Sequence, residues 1–244
     1  KDLKKRGEVI NTKSDNSPVT LADLKVNEMI LSRMKEKYSN VSWNYLSEEN
    51  VDFFSMKESS ASEWLWVLDP LDGTKDFVNG TKDYAVHFAL NFQNKPFLGI
   101  VLIPKRNELW ISDSQKVWCE RRNGSILNSN LSKKTNLAEM NLVRSKNHSN
   151  DVLKKLIEKI EFSNISVMGS VGCKISSIIR GENDIYLSIS LPGQSCPKDW
   201  DFAAPEVILK NSGGAITNID NEELIYNKKN FEQKGIIIAS SNKE

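Results

Sequence analysis

The sequence predicts a layered α+β protein, in which a half built on an antiparallel sheet is followed by a smaller α/β half. Between Glu63 and Arg121, short runs of apolar or alternating residues follow one another, which is typical of a meandering sheet. From Leu142 onward, strand-like and helix-like segments alternate, which favours an α/β arrangement. The chain has 244 residues, enough for two closely packed halves.

The first half carries one long predicted helix and a series of short strands. Leu21 to Tyr38 has apolar residues at the spacing of one helix face, and Asp15 to Thr20 before it is expected to be loop. Asn50 to Ser62 is polar and is predicted to be a short helix with loop. The predicted strands are a short one ending near Ser47, then Trp64–Leu68, Tyr84–Asn91, Pro96–Ile103, Glu108–Ser112, Lys116–Arg121 and one after the Asn123-Gly124 turn.

The second half is expected to begin between Asn128 and Met140, so that residues 1–135 form the first half and residues 136–244 the second. Its predicted strands are Leu142–Ser145, Ile165–Met168, Ile185–Ser188 and Gly235–Ala239, and its predicted helices are Asp151–Ile160, Val171–Arg180 and Asp201–Asn211. We expect one compact unit in which the second half completes the functional site.

Composition excludes several classes of protein and of site. Lysine and arginine number 33 against 32 acidic residues, and this net charge of +1 predicts no nucleic-acid or membrane partner. No apolar run is long enough for a membrane span, and no signal-peptide pattern is seen. Three scattered cysteines are typical of reduced thiols and predict a cytoplasmic protein. Only two histidines are present, so a metal site must be built on oxygen, which favours Mg²⁺ or Mn²⁺.

The segment Trp64 to Phe77 carries the strongest chemical signal. Its apolar run ends at Asp69, and Pro70, which has no N–H group for a ladder, is expected to stop the strand. Asp72 follows, so two carboxylates are delivered to one turn, as Mg²⁺ requires. The next residues, Gly73-Thr74, offer backbone N–H groups to an anion. Metal and anion together indicate phosphoryl chemistry. The simpler alternative is an Asp-Gly turn between two structural elements.

Two further acidic segments strengthen the chemical interpretation. Glu48-Glu49 follows a short apolar stretch, where the alternative is a helix start or a solvated charge pair. Asp201 stands at the predicted start of a helix that ends at Gly213-Gly214. Its alternative role is an N-cap, and a carboxylate at a helix start can serve both as a cap and as a metal ligand.

These motifs together resemble the magnesium-dependent, lithium-sensitive phosphomonoesterases, the inositol monophosphatase family. The matching segments, in the family's order, are Ser17-Pro-Val-Thr-Leu-Ala-Asp23, Glu48-Glu49, Asp69-Pro-Leu-Asp-Gly-Thr74 and Trp200-Asp-Phe-Ala-Ala204 with Gly213-Gly214. Asp72-Gly-Thr-Lys-Asp-Phe77 is similar to the version of the central motif in the 3′(2′),5′-bisphosphate nucleotidases, with Asp76 in place of their Glu.

The resemblance implies a site with two Mg²⁺ ions, and it allows a third at Glu48. Glu48, Asp69 and the carbonyl of Leu71 would hold the first ion. Asp69 would also reach the second, together with Asp72 and Asp201. Two such ions about 4 Å apart can clamp the attacking and leaving oxygens of an in-line displacement.

The resemblance also implies which residues move protons. Thr74 and Asp23 match the dyad that orients and deprotonates the attacking water. The alternative role of Asp23 is a charge in the first turn of a helix.

Substrate contacts are implied by the same resemblance. The N–H groups of Gly73 and Thr74 would hold the scissile phosphate. Arg144 to His148 is similar to an Arg-Ser-His-Ser segment of the nucleotidases, with one residue inserted. His87, in the alternating segment Tyr84 to Asn91, is expected to be a structural histidine instead. The other expected substrate-binding residues are His148, Gly169, Ser170, Lys174 for a second phosphate, and Asp199 for the ribose. The alternative for Lys174 is a solvated lysine.

Three functional interpretations follow. The first is removal of the 3′-phosphate from 3′-phosphoadenosine 5′-phosphate, and the second is the same chemistry on inositol 1-phosphate or another sugar phosphate. The third is a catalytically silent phosphate-binding or RNA-associated module, which the presence of every expected carboxylate and of Thr74 disfavours. The expected partner is a small phosphorylated nucleotide or sugar, and a monomer or homodimer is expected.

Overall fold

A computed structural model of the chain describes residues 9–12, 18–51, 62–148 and 150–243. It confirms the predicted fold class, because helices pack against one largely antiparallel sheet and one smaller mixed sheet. The strands are β1 (Val9–Thr12), β2 (Pro18–Thr20), β3 (Asn44–Ser47), β4 (Trp64–Asp72), β5 (Ala85–Phe92), β6 (Lys95–Ile103), β7 (Glu108–Ser112), β8 (Val117–Arg121), β9 (Ile126–Leu127), β10 (Asn141–Ser145), β11 (Asn164–Met168), β12 (Ile185–Ser190), β13 (Ala215–Asn218) and β14 (Gly235–Ser240). The α-helices are α1 (Leu21–Lys37), α2 (Thr74–Val78), α3 (Asp151–Lys159), α4 (Val171–Ile179) and α5 (Asp199–Ser212).

The larger sheet has seven strands in the order β3 to β9. β3 runs parallel to β4, and the other neighbours are antiparallel. β4 is buried along nearly its whole length, since α1 and α5 both contact it. A strand covered on two faces reads as a continuous apolar run, which explains the sequence from Trp64 to Leu68.

The smaller sheet has five strands in the order β11-β10-β12-β14-β13. The first three are parallel, and β14 runs antiparallel to both of its neighbours. β13, which the sequence did not reveal, follows directly on Gly213-Gly214. No helix in the part of the chain that the structure describes is long and apolar enough to cross a membrane.

Helix α5 joins the two halves, because it belongs to the second and packs on β5 and β6 of the first. Gly99 in β6 allows this close approach, since a Cβ there would lie 2.3 Å from Val207 Cγ1 and 2.7 Å from the carbonyl of Ala204. One apolar core contains Trp110 of the first half and Phe202 of the second. The boundary between residues 135 and 136 stays a prediction.

Three local expectations are corrected by the structure. Pro70 does not end the strand: β4 continues to Asp72, and its register with β5 shifts between Asp69 and Asp72, so proline sits in an irregularity where no ladder bond is lost. Part of the expected loop before α1 is strand, because β2 pairs with β1. The N-cap of α5 is Lys198 rather than Asp201. The predicted helix and loop over Asn50 to Ser62 lies mostly outside the described residues.

Candidate active site

Three carboxylates converge where the end of β4 meets the first turn of α5. One oxygen from each of Asp69, Asp72 and Asp201 lies within 4.8 Å of the others. Asp69 is only 2% exposed. Burial, with the charges of Glu48, Asp72 and Asp201 adding to it, raises the pKa of Asp69 well above its usual range. Burial and the charge of Asp72 do the same to Asp201. Asp69 is buried and the other two are partly buried. Carboxylates that repel one another in such surroundings form an oxygen donor set that fits a divalent cation.

Glu48 and Leu71 border this cluster, as expected. β3 pairs in parallel with β4, so Glu48, directly after β3, lies at the same sheet edge as Asp69. The N–H group of Leu71 donates to Asp69 Oδ1 at 3.0 Å, and the carbonyl of Leu71 accepts from Thr74 Oγ1 at 3.0 Å. The assignment of these groups as metal ligands stays a prediction.

Thr74 and Asp23 meet across a separation of 51 residues. Thr20 is the N-cap of α1, and Asp23 completes its capping box by accepting from Thr20 N (2.8 Å) and Thr20 Oγ1 (2.6 Å) through Oδ2. Thr74 Oγ1 lies 3.3 Å from Asp23 Oδ1. One oxygen of Asp23 therefore caps the helix and the other faces Thr74, and the catalytic role of the pair stays a prediction.

Asp72 is held by groups from the second half of the chain. Its Oδ2 accepts from Ser170 Oγ at 2.6 Å and from the N–H group of Gly172 at 3.2 Å. Ser170 is also the N-cap of α4, since its side chain accepts from Cys173 N. The turn after β11 therefore positions a carboxylate at the end of β4.

His87 was expected to be structural and is buried, but it also borders the site. Its Nε2 lies 3.2 Å from Asp72 Oδ2 without the alignment of a hydrogen bond, and its Nδ1 is 3.3 Å from the carbonyl of Trp200. Burial lowers its pKa. The alternation of residues along β5 could have shown that His87 faces the interior, because it shares the buried face of the strand with Ala85 and Ala89.

Gly73 makes the turn between β4 and α2 in a conformation that favours glycine. Its φ is +89°, and a Cβ there would lie 2.7 Å from the carbonyl of Asp83. The first N–H groups of a helix have no partner within it. This geometry agrees with the expected phosphate contact at Gly73 and Thr74, which stays a prediction.

Comparison with known proteins identifies the family. The model of the inositol monophosphatase family matches residues 1–244. The chain belongs to this family.

Relatives within the inositol monophosphatase family include several named for a nucleotidase. The 3′(2′),5′-bisphosphate nucleotidase CysQ of Buchnera aphidicola is 32% identical over 222 residues, which cover 89% of this chain and 77% of that protein. CysQ of Haemophilus influenzae is 28% identical over 90% of this chain and 79% of its own. The solved structure of CysQ from Bacteroides thetaiotaomicron has a TM-score of 0.72 at 22% identity and covers 98% of this chain and 92% of its own. The chain is thus a phosphatase that acts on small phosphorylated compounds.

Lys174, the expected contact for a second phosphate in this family member, is buried rather than solvated. It is 3% exposed, its Nζ donates to the carbonyl of Gly169 at 3.2 Å, and the ammonium lies 5.0 Å from the ring centroid of Tyr186. The pKa of Lys174 is lowered, because burial outweighs the opposing effect of nearby negative charges such as those of Asp72 and Asp201. The alternative of a solvated lysine is wrong, and the role toward a second phosphate stays a prediction.

The other expected specificity residues of this phosphatase have different surroundings. His148 is exposed in the turn after β10, and its N–H group donates to Ser145 Oγ at 3.2 Å. Asp199 is buried and accepts from the N–H group of Asn227 and from Gln233 Nε2, both at 2.6 Å. Burial raises the pKa of Asp199 to about 6. Asp199 is 1% exposed, so a contact between its carboxylate and a ribose would require the residues that cover it to move.

A cavity of about 650 Å³ lies apart from these residues, between the β6–β7 and β8–β9 connections. Its lining is Arg106, Asn107, Glu108, Arg121, Arg122 and Asn123. None of the expected site residues lines it, so this cavity and the acidic cluster are separate features.

Proposed function

We propose that this phosphatase is a Mg²⁺-dependent 3′(2′),5′-bisphosphate nucleotidase that removes the 3′-phosphate of 3′-phosphoadenosine 5′-phosphate. The observation that carries the proposal is the convergence of Asp69, Asp72 and Asp201 beside the Thr74–Asp23 contact. The relatives named CysQ support the choice of a bisphosphate nucleotide.

The metal-holding residues are proposed to be the carboxylates of Glu48, Asp69, Asp72 and Asp201 and the carbonyl of Leu71. They would hold two Mg²⁺ ions, or three with a further one at Glu48. When bound, Mg²⁺ acidifies water and stabilises negative charge on phosphate and leaving oxygens. Because Li⁺ has a similar size and half the charge of Mg²⁺, we also propose inhibition by millimolar Li⁺.

Thr74 and Asp23 are proposed to take up the proton of the attacking water. Thr74 Oγ1 has Asp23 Oδ1 and the carbonyl of Leu71 within reach, and its single hydrogen can be donated to one of them. When Thr74 donates to Asp23, its lone pairs are free to accept from the attacking water. The two bonds from Thr20 keep the Asp23 carboxylate oriented, so it can draw the proton through Thr74.

A second candidate is hydrolysis of inositol 1-phosphate or another sugar phosphate. The family model, which covers the whole chain and is named for inositol monophosphatase, is the observation in its favour. Both candidates use the same carboxylates and the same dyad, and they differ in the groups that surround the substrate away from the scissile phosphate.

The test compares phosphate release from 3′-phosphoadenosine 5′-phosphate and from inositol 1-phosphate, with Mg²⁺ and with EDTA. We expect the nucleotide to have the higher kcat/KM, and release to stop in EDTA. Faster hydrolysis of inositol 1-phosphate would select the second candidate. No release from either substrate would support the silent module.

Location and assembly are also proposals. The three cysteines, Cys119, Cys173 and Cys196, form no disulfide, which supports the cytoplasmic location. Monomer and homodimer stay open, and light scattering of the purified protein distinguishes them.

A further inference from the structure

Asp76 is a buried carboxylate that the proposed mechanism does not use. It lies in α2, two residues after Thr74, and is 1% exposed. Its Oδ1 accepts from Lys146 Nζ at 2.7 Å and from Thr81 Oγ1 at 2.6 Å, and its Oδ2 accepts from Asn147 Nδ2 at 3.0 Å. A buried carboxylate requires such partners, and these three bonds fix its position.

Two of the three donors come from the other half of the chain. Lys146 and Asn147 follow β10, and they lie in the segment Arg144 to His148 that contains one residue more than the nucleotidase pattern. Asp76 is itself the position at which this chain has Asp in place of Glu. Lys146 and Asn147 both donate to Asp76, so the two departures from the pattern meet in one contact.

The carboxylate also packs against the backbone of the Gly169-Ser170 turn. A Cβ at Gly169 would lie 2.2 Å from Asp76 Oδ2 and 2.7 Å from the carbonyl of Asp83. A Cβ at Gly73 would meet the same carbonyl at 2.7 Å and Ser170 Cβ at 3.4 Å. The turn that begins α2 and the turn that begins α4 are therefore in contact around Asp76.

This packing leads directly to the acidic cluster. Ser170, next to Gly169, donates to Asp72 Oδ2 at 2.6 Å. A displacement of the turn at Gly169 would move Ser170, and with it the hydrogen bond that orients Asp72. Hydrogen-bond partners of metal ligands typically change metal affinity or activity by about 10–100-fold when removed.

We propose that Asp76, held by Lys146 and Asn147, is a positioning residue that fixes the Gly73-Thr74 turn against the Gly169-Ser170 turn and so orients Asp72 and Thr74. This inference rests on the proposed function for its catalytic consequence. Its effect on cation binding is independent of the substrate.

The first test is a Mn²⁺ titration of metal-free protein, followed by electron paramagnetic resonance of free Mn²⁺. Asp76→Asn keeps the shape and removes the charge, and we expect Mn²⁺ affinity to fall about tenfold. Lys146→Met should also lower Mn²⁺ affinity, and Lys146→Arg should lower it less because it keeps the positive charge. The matched control is Lys154→Met, which removes an exposed lysine paired with exposed Asp151 and should leave affinity unchanged.

The second test separates positioning from general support of the fold. In the Asp76→Asn variant, kcat on the preferred phosphate substrate should fall with little change in KM. The Asp76→Asn/Lys146→Met double variant should lose less than the product of the two single losses, since both act through one contact. Unchanged Mn²⁺ affinity and kcat with a lowered Tm would overturn the proposal.

Other outcomes remain decisive. If Asp76→Asn does not fold, Asn147→Ala decides, because it removes a neutral donor from Asp76 Oδ2 and leaves the charged Lys146 partner in place. Unchanged Mn²⁺ binding and kcat in that variant would also reject the proposal. If the wild type hydrolyses neither candidate substrate, the proposed function fails while the Mn²⁺ titration still tests the positioning.

Discussion

Two groups of acids in this molecule differ in how their charge is balanced. Around β7, Arg180 Nη1 donates to Glu108 Oε2 at 2.8 Å, and Arg180 also makes two bonds of 2.8 Å to Glu182. The hydrogen bond from Arg180 lowers the pKa of Glu182. At the end of β4, the carboxylates of Asp69 and Asp201 face other carboxylates, and their pKa values are raised by burial and by one another's charge.

The difference separates acids whose charge the chain itself balances from acids whose charge it leaves unbalanced. A buried acid matched by arginine is satisfied by the chain itself. Lys174 lies near the acidic cluster, but its ammonium donates to the carbonyl of Gly169 rather than to a carboxylate. The cluster is therefore left with an excess of negative charge, which a divalent cation can balance.

The largest expected effect is at Asp69, the most buried acid of the cluster. Asp69→Asn should remove measurable turnover at saturating Mg²⁺, because this carboxylate is assigned to both ions. The metal-free variant should be no less stable than the wild type, since one repelling charge is gone. Phosphate release and thermal unfolding in EDTA check the two parts. Retained turnover would disprove the shared-ligand assignment, and a large fall in Tm would show that Asp69 supports the fold.

Thr74 tests the uncharged neighbour of the cluster. Thr74→Ala should lower kcat by about 10²–10⁴-fold with a smaller change in KM, because its hydroxyl acts on the water in the transition state. Steady-state kinetics measure kcat and KM. Thr81→Ala is not a suitable control, because Thr81 contacts Asp76. Ser32→Ala, on the exposed surface of α1, is the control. A raised KM with unchanged kcat would make Thr74 a binding residue.

Substitution of Arg180 tests the group around β7, in which this arginine balances the charges of Glu108 and Glu182. Arg180→Met leaves Glu108, a buried acid, without its main partner, and we expect a loss of about 3–5 kcal/mol in the free energy of unfolding. Mn²⁺ affinity should not change. Arg106→Met removes an exposed pair with Glu182 and should cost about 0–1 kcal/mol. Urea denaturation compares the two variants, and equal small losses would show that the arginine–glutamate group contributes little.

Glu206 in α5 is an intermediate case, because it is buried and its partner is a neutral hydroxyl, that of Tyr226. Burial raises its pKa from 4.5 to about 7. Between these two pH values the folded state therefore retains a proton that the unfolded state loses. The contribution of this proton to the free energy of unfolding is fully present below pH 4.5 and is lost as the pH rises to about 7, above which it does not change further. The total is about 3 kcal/mol.

Glu206→Gln should remove that part of the pH dependence and should be more stable than the wild type at pH 8. Urea denaturation of both proteins at pH 5 and pH 8 measures the difference between them, in which the contributions of Asp69, Asp199 and Asp201 cancel. An identical pH dependence in both proteins would mean that Glu206 titrates normally.

Features that depend on neighbours along the chain could be predicted from the amino-acid sequence. Apolar runs and alternation placed most strands and helices within a few residues, and the carboxylates, glycine and threonine of Asp69 to Thr74 were evident because they share one turn. Local signals failed where a partner strand decided the outcome. Pro70 reads as a strand stop, but pairing with β5 carries β4 past it, and Pro18 to Thr20 reads as loop until β1 pairs with it.

Contacts between distant segments could not be predicted in this way, because they depend on how the elements pack in three dimensions. Thr74 meets Asp23 across 51 residues, and Ser170 reaches Asp72 across 98. The burial of Lys174 was equally hidden, because α4 packs against β5 and β6 of one sheet and β12 of the other, so that all nine of its residues are buried. Periodicity gives the faces of a helix, but the elements that cover those faces are set by long-range packing.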